Sequence, residues 1–148
     1  QAVAAHPTCG VCLMHMHRDP QTMQAVPMEG DVLPQVLSFL ELQAQALQGL
    51  GVEKARIVLD PGIGFGKTFD RNVYVMKHLR DLTGLPYPML LGTSRKGFIG
   101  KILDLPVTER MEGTGTTCVA GVLAGCAIVR VHDVKPIVRM CQMADALR

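Results

Sequence analysis

Arg56-Ile57-Val58-Leu59-Asp60-Pro61-Gly62-Ile63-Gly64-Phe65-Gly66-Lys67 is an apolar, β-branched run that stops at a carboxylate and passes straight into a glycine-rich loop. A run that is apolar throughout, rather than at alternate positions, suits a strand buried on both faces. Such strands belong to parallel sheets whose crossovers are helices. Helical periodicity follows the loop. Val73, Met76 and Leu79 share a face, which predicts a helix from near Asp70 to Leu82, with Gly84 beyond it.

The same unit recurs on both sides. Upstream, Val11 to Met16 is a short apolar run, followed by a polar loop from Arg18 to Gly30. Asp31 then suits the N-cap of a helix carrying Val32, Val36, Leu37, Leu40, Ala44 and Leu47 inward. Pro34 falls in its first turn, where a missing N–H costs little, and Gly49 and Gly51 end it. Downstream, Pro86 and Pro88 lead into Met89 to Ser94, and a short helix is expected over Phe98 to Leu103. Thr108 is expected to cap a further helix start. The Gly-, Ala-, Thr- and Cys-rich stretch from Gly113 to Gly125 reads as a helix whose small residues allow close packing on strands. Ala127 to Asp133 is the last apolar run. A helix from Val134 to Leu147 follows, with Ile137, Val138, Cys141 and Ala144 inward. Repeated β-loop-α units fit either a doubly wound sheet or part of a (β/α)8 barrel, and both place ligands at the C-terminal ends of the strands.

Composition narrows the function classes. The 148 residues are 48% hydrophobic and 19% charged, with a net charge of +2. That balance is globular and carries no Lys/Arg stripe for nucleic acid. No apolar run is long enough to span a membrane, since Gly121 and Gly125 interrupt the longest. The odd set Cys9, Cys12, Cys118, Cys126 and Cys141 suits buried free thiols in a reducing cytoplasm better than a disulfide framework. Gln1 leads into Ala2-Val3-Ala4-Ala5, which reads as the tail of a helix already under way, so a longer protein is expected.

The strand ends carry Met14-His15-Met16-His17, Asp60-Pro61-Gly62, Ser94-Arg95-Lys96 and Arg130-Val131-His132-Asp133. Polar groups at all of these ends coincide where a parallel fold puts its site. The bland reading, that they merely cap and solvate, fits one end better than all together. Asp60 can accept paired N–H bonds from a flat heterocycle, Gly64 lets backbone approach it, and Phe65 can cover its face. Gly66-Lys67-Thr68 matches the end of a nucleotide-binding loop, but Pro61 stands where that motif needs Gly. Ser94, Lys96 and Gly97 precede or open a helix, a position suited to an anion. Arg130 and His132 alternate on the last strand and could together hold a diphosphate. Cys9 and Cys12 with nearby His15 and His17 suggest zinc or redox chemistry only superficially: a strand follows, not a helix, and no second Cys pair is suitably spaced.

Leu13 to Met16, Leu59 to Lys67, Gly92 to Lys96 and Arg130 to Asp133 together resemble, in order and spacing, the signatures of the dihydropteroate synthase family of pterin-binding enzymes. The resemblance covers essentially the whole chain. It implies a (β/α)8 TIM barrel, of which residues 1–148 would supply the last four βα units of a single domain, its C-terminal half. It implies a transferase of folate biosynthesis, a sulfonamide target, that joins p-aminobenzoate to 6-hydroxymethyl-7,8-dihydropterin diphosphate. Met14, Asp60, Phe65 and Gly92 match pterin positions, Lys96 and Asp60 the catalytic residues, with Lys96 near the pterin carbonyl and the p-aminobenzoate pocket, and Arg130 with His132 the diphosphate pair. Gly97 replaces a serine common near the p-aminobenzoate carboxylate. The family's Mg²⁺ is associated with an Asn on a strand not in this chain, so no metal ligand is expected here. The resemblance further implies a cytoplasmic homodimer with no nucleic-acid or membrane partner. Alternatives are a methyltetrahydrofolate methyltransferase of the same fold and a non-catalytic barrel half used for assembly. Half a barrel has two unpaired strand edges and half a site, so this chain alone is expected to pair, aggregate or stay incompletely ordered, and to be inactive.

Overall fold

The structure, a computed structural model, describes residues 2–23, 25 and 28–148. Gln1 and three residues of the expected polar loop, Gln24, Val26 and Pro27, lie outside the described residues. The strands are β1 (Val11–Met14), β2 (Ile57–Asp60), β3 (Leu90–Leu91) and β4 (Ile128–Val129). The helices are α1 (Val32–Gly49), α2 (Phe69–Lys77), α3 (Leu79–Thr83), α4 (Gly97–Leu103), α5 (Met111–Ala124) and α6 (Val134–Ala146).

β1 pairs parallel to β2, with Val11 opposite Ile57 and Met14 opposite Asp60. β3 pairs parallel to β4, with Leu90 opposite Ile128. A parallel bridge between Leu59 and Met89 joins the two pairs, so the strands follow chain order. This is the parallel β/α arrangement that the apolar runs predict. The outer edges of β1 and β4 have no partner strand among the described residues.

One face of the arc is packed by helices. Val32, Val36, Leu40 and Ala44 of α1 join Ile57, Leu59, Met89 and Leu91 in a single buried core. Asp31 caps α1 as expected, accepting from the Leu33 N–H at 3.2 Å. The alternate residues Cys12, Val58, Leu90 and Ile128 point to the opposite face and are exposed or half-buried. The small residues of α5 act as the sequence suggests. A Cβ on Gly121 would lie 2.6 Å from Cδ2 of the fully buried Leu91, so this glycine sets the distance of α5 from β3.

Several expectations need correction. Ala2 to Ala5 form turns, not the end of a helix. The helix expected over 70–82 is broken at His78. Its ring Nδ1 lies 2.8 Å from the Tyr74 carbonyl, the group a continuing helix would offer to the His78 N–H, which turns to Val75 instead. Thr108 caps nothing. It sits inside a 3₁₀ turn, Val107–Glu109, and α5 starts at Met111. The third and fourth apolar runs pair over only two residues each, because their polar ends leave the sheet to build the site. All five cysteines are free as expected, but only Cys118 and Cys126 are buried, and Cys9 and Cys12 are exposed.

Gly121→Val should destabilise the protein by about 2 kcal/mol, because neither Leu91 nor the helix backbone can give way. A urea midpoint equal to the parent's would refute this account of how α5 is seated.

Candidate active site at the strand ends

The loop after β2 makes one wall. Asp60 is 3% exposed, so its carboxylate needs partners, and its Oδ1 accepts from the Gly62 N–H at 2.7 Å. Gly62 has φ +65, and a Cβ there would lie 1.8 Å from the His15 carbonyl oxygen, so only glycine fits the turn. Met14 is opposite Asp60 in the sheet and half-buried beside Gly62. Burial pushes the Asp60 carboxyl up, while the Gly62 hydrogen bond and then Lys96, Arg130 and Lys67 oppose that rise.

Lys67 holds the loop closed. Its Nζ is buried, donates to the Gly62 carbonyl at 2.8 Å and the Phe65 carbonyl at 3.4 Å, and lies 2.9 Å from His15 Nδ1. Burial lowers its pKa to about 7, with Asp60 opposing and Lys96 reinforcing the fall. His15 is lowered to about 4 by burial, then by Lys67 and His17. Asn72, buried at the start of α2, completes the brace. Its Oδ1 accepts from the Gly64 N–H at 2.7 Å, and its amide donates to the carbonyls of Lys67 and Thr68.

Lys96 crosses to this loop from the end of β3. Its Nζ donates to the Ile63 carbonyl and stands 4.6 Å from the centroid of the Phe65 ring. Its stem runs beside Gly64, where an added Cβ would lie 3.3 Å from Lys96 Cδ. Burial lowers its pKa to about 8, with Asp60 opposing and Arg130 adding to the fall. The turn that aims Lys96 is anchored one residue earlier. Arg95 has φ +56, its N–H donates to Thr114 Oγ1 at 3.0 Å, and its carbonyl accepts from Arg110. Its guanidinium grips both oxygens of Asp133, at 2.7 and 3.1 Å. Arg95 and Asp133 therefore brace the frame and are not ligand groups.

Beyond Lys96, a cavity of about 310 Å³ is lined by Gly92, Ser94, Lys96, Arg130, Val131 and His132. Ser94 Oγ accepts from the His132 N–H at 3.1 Å and lies 2.7 Å from His132 Nδ1. In the tautomer whose Nδ1 accepts from Oγ, Nε2–H is left as a donor toward the cavity. Gly92 lies under the Arg130 guanidinium: a Cβ there would be 3.1 Å from Nη2. A second cavity, of about 280 Å³, lies on the other side of Lys96 and includes Gly64, Gly97 and Lys101 in its lining. Gly97 is exposed at the first position of α4.

Of the candidate site residues, Gly92, Ser94, Arg130 and His132 line the cavity on one side of Lys96, and Gly64 and Gly97 line the cavity on the other. Met14 and Asp60 end β1 and β2, Phe65 lies in the loop that follows, and Arg95 and Asp133 are taken up by each other. The sequence reading assigned no role to Lys67, Asn72, Thr114 or Lys101. Among the described residues, no group of three or more His, Cys, Asp or Glu side chains could hold a metal ion.

A family profile described as pterin binding enzyme matches residues 1–132. The chain belongs to the pterin-binding enzyme family. Within that family it is 47% identical over 146 residues to a dihydropteroate synthase of Bacillus subtilis (strain 168), covering 99% of this chain and 49% of that protein. The crystal structure of dihydropteroate synthase from Thermus thermophilus in complex with 4-aminobenzoate superposes with a TM-score of 0.90 at 35% identity, over 97% of this chain and 58% of that one. The Yersinia pestis enzyme in a sulfonamide drug complex gives a TM-score of 0.90 at 35% identity, over 94% and 51%. The chain spans about half the length of the curated relatives it matches. The parallel arc of this chain is therefore part of a TIM barrel.

Burial of His15 makes the stability of the fold depend on pH. The unfolded ring takes a proton near pH 6.5 and the folded one only near 4, so the stability it contributes is present above pH 6.5 and is lost as pH falls through about 4. The loss should be on the order of 2–3 kcal/mol. Denaturant unfolding between pH 7 and about 4 should show a shallower fall for His15→Gln; equal slopes would refute the assignment.

Proposed function

We propose that the protein carrying this chain is a dihydropteroate synthase, a soluble cytoplasmic transferase of folate biosynthesis and a target of sulfonamides. In this reading it condenses p-aminobenzoate with 6-hydroxymethyl-7,8-dihydropterin diphosphate, and residues 1–148 form the C-terminal half of its barrel. The observation that carries the reading is Lys96, which lies on the boundary between two cavities, one walled by Arg130 and His132 and the other by the Gly64 and Gly97 backbone.

Each residue has a chemical part. Asp60 keeps one oxygen free of the Gly62 bond, so it can accept from the amino and ring N–H groups of a pterin. Phe65 and Met14 flank the ring. The aryl amine nitrogen attacks the methylene carbon, the C–O bond breaks, and its electron pair leaves on the diphosphate oxygen. The amine's proton is lost to solvent. Charge grows on that oxygen as the bond breaks, so Arg130, His132 and Lys96 stabilise the transition state more than the ground state. Mg²⁺ belongs to the reading only as a partner of the diphosphate. Among the described residues, no three His, Cys, Asp or Glu side chains group to hold it.

A homodimer belongs to the same reading, supported by the exposed apolar residues Val134, Val138 and Met143 of α6. This chain alone, with its outer strand edges open, is proposed to be inactive. The reading is tested by dihydropteroate formation in the full-length protein and by Lys96→Ala, which should lower kcat/KM roughly 10²-fold or more. No product from the parent enzyme, or full activity in Lys96→Ala, would contradict it. Pterin binding indifferent to the diphosphate would point to methyl transfer instead, and no pterin binding to an assembly role.

A further inference from the structure

The cavity on the Gly97 side of Lys96 is walled by the phenyl rings of Phe69 and Phe98 and includes no carboxylate among its lining residues. Three lysines line it: Lys67, Lys96 and Lys101. Such a pocket suits a flat aromatic anion, with the ring against the phenyl walls and the charge against an ammonium.

The three cations are not equivalent. Lys67 Nζ is buried and already engaged with Gly62, Phe65 and His15. Lys96 Nζ donates to the Ile63 carbonyl and stands on the boundary with the Arg130 cavity, where the leaving group departs. Lys101 Nζ makes no hydrogen bond or ion pair among the described residues and rests 4.3 Å over the Phe69 ring. It lies one helical turn beyond Gly97 and so on the same side of α4. The helix start itself offers little: α4 has only seven residues, and Gly97 brings no hydroxyl.

Resting on the reading above, we propose that Lys101 is a specificity residue that binds the carboxylate of the aryl amine substrate. The geometry sets the direction. The amine must reach the carbon that bears the diphosphate, on the Arg130 side of Lys96. A para carboxylate then lies at the opposite end of the ring, toward Gly97 and Lys101. A Cβ on Gly97 would meet nothing within 4 Å, so the space beside Lys101 is open. Lys101 is exposed, so its attraction is partly screened and acts on binding rather than on the chemical step.

The test is steady-state kinetics of the full-length enzyme with p-aminobenzoate and with its neutral analogue p-aminobenzamide. Lys101→Gln should raise KM for p-aminobenzoate roughly fivefold, with KM for p-aminobenzamide and for the pterin diphosphate changed less than about twofold. Raising ionic strength should weaken p-aminobenzoate binding in the parent more than in Lys101→Gln. Gly97→Ser, which the open space accepts, should recover part of the loss when added to Lys101→Gln. Lys135→Gln, on α6, is the control and should match the parent. A KM for p-aminobenzoate within about twofold of the parent's, or an equal rise for both amines, overturns the inference alone. No product from the parent with either amine overturns the underlying reading, and the inference with it.

Discussion

The buried ammonium of Lys67 is the tie on which the site depends. A cation taken out of water must be surrounded by acceptors. Here these are two carbonyls of its own loop and a ring nitrogen from the end of β1. Satisfying them folds the glycine-rich loop back onto the neighbouring strand. That placement presents the Ile63 carbonyl to Lys96 and stations Phe65 beneath the same ammonium. One burial constraint near β2 thus fixes a side chain that arrives from β3.

The electrostatics follow from the same crowding. One buried carboxylate, Asp60, is set among Lys67, Lys96 and Arg130. Burial drives the carboxyl up and the two lysines down, toward about 7 and about 8. Each shift favours the uncharged form, and an anionic ligand entering beside Lys96 would restore the charged form of the lysines. The cations are thus held ready for an anion instead of being neutralised by the protein's own carboxylates. Arg95 is the informative contrast. It sits between Ser94 and Lys96, yet Asp133 holds its guanidinium through Nε and Nη2, and the cost of its left-handed backbone is offset by anchors to Thr114 and Arg110.

The sequence showed the repeated parallel unit because its strands are apolar without alternation, although helices cover only one face of them among the described residues. It showed Asp60, Lys96, Arg130 and His132 because each stands at the end of such a run. It did not show Lys67 as a structural group, since Gly66-Lys67-Thr68 looks like part of a phosphate loop and burial of a lysine leaves no local mark. Asn72 was visible in principle: it is a polar residue one turn before the buried Val75 on the inner side of α2. The pairing of Arg95 with Asp133 spans 38 positions, beyond any local pattern. The break at His78 depends on a ring reaching back to its own helix, which apolar periodicity does not register.

The central claim is that the carboxylate of Asp60 anchors a pterin while the cations across Lys96 take its diphosphate. Titration calorimetry of the full-length protein and its Asp60→Asn variant with the pterin diphosphate tests this directly. The account predicts that the variant binds roughly 30-fold or more weakly, because a donor then faces donors. Equal affinity in the two proteins would contradict it.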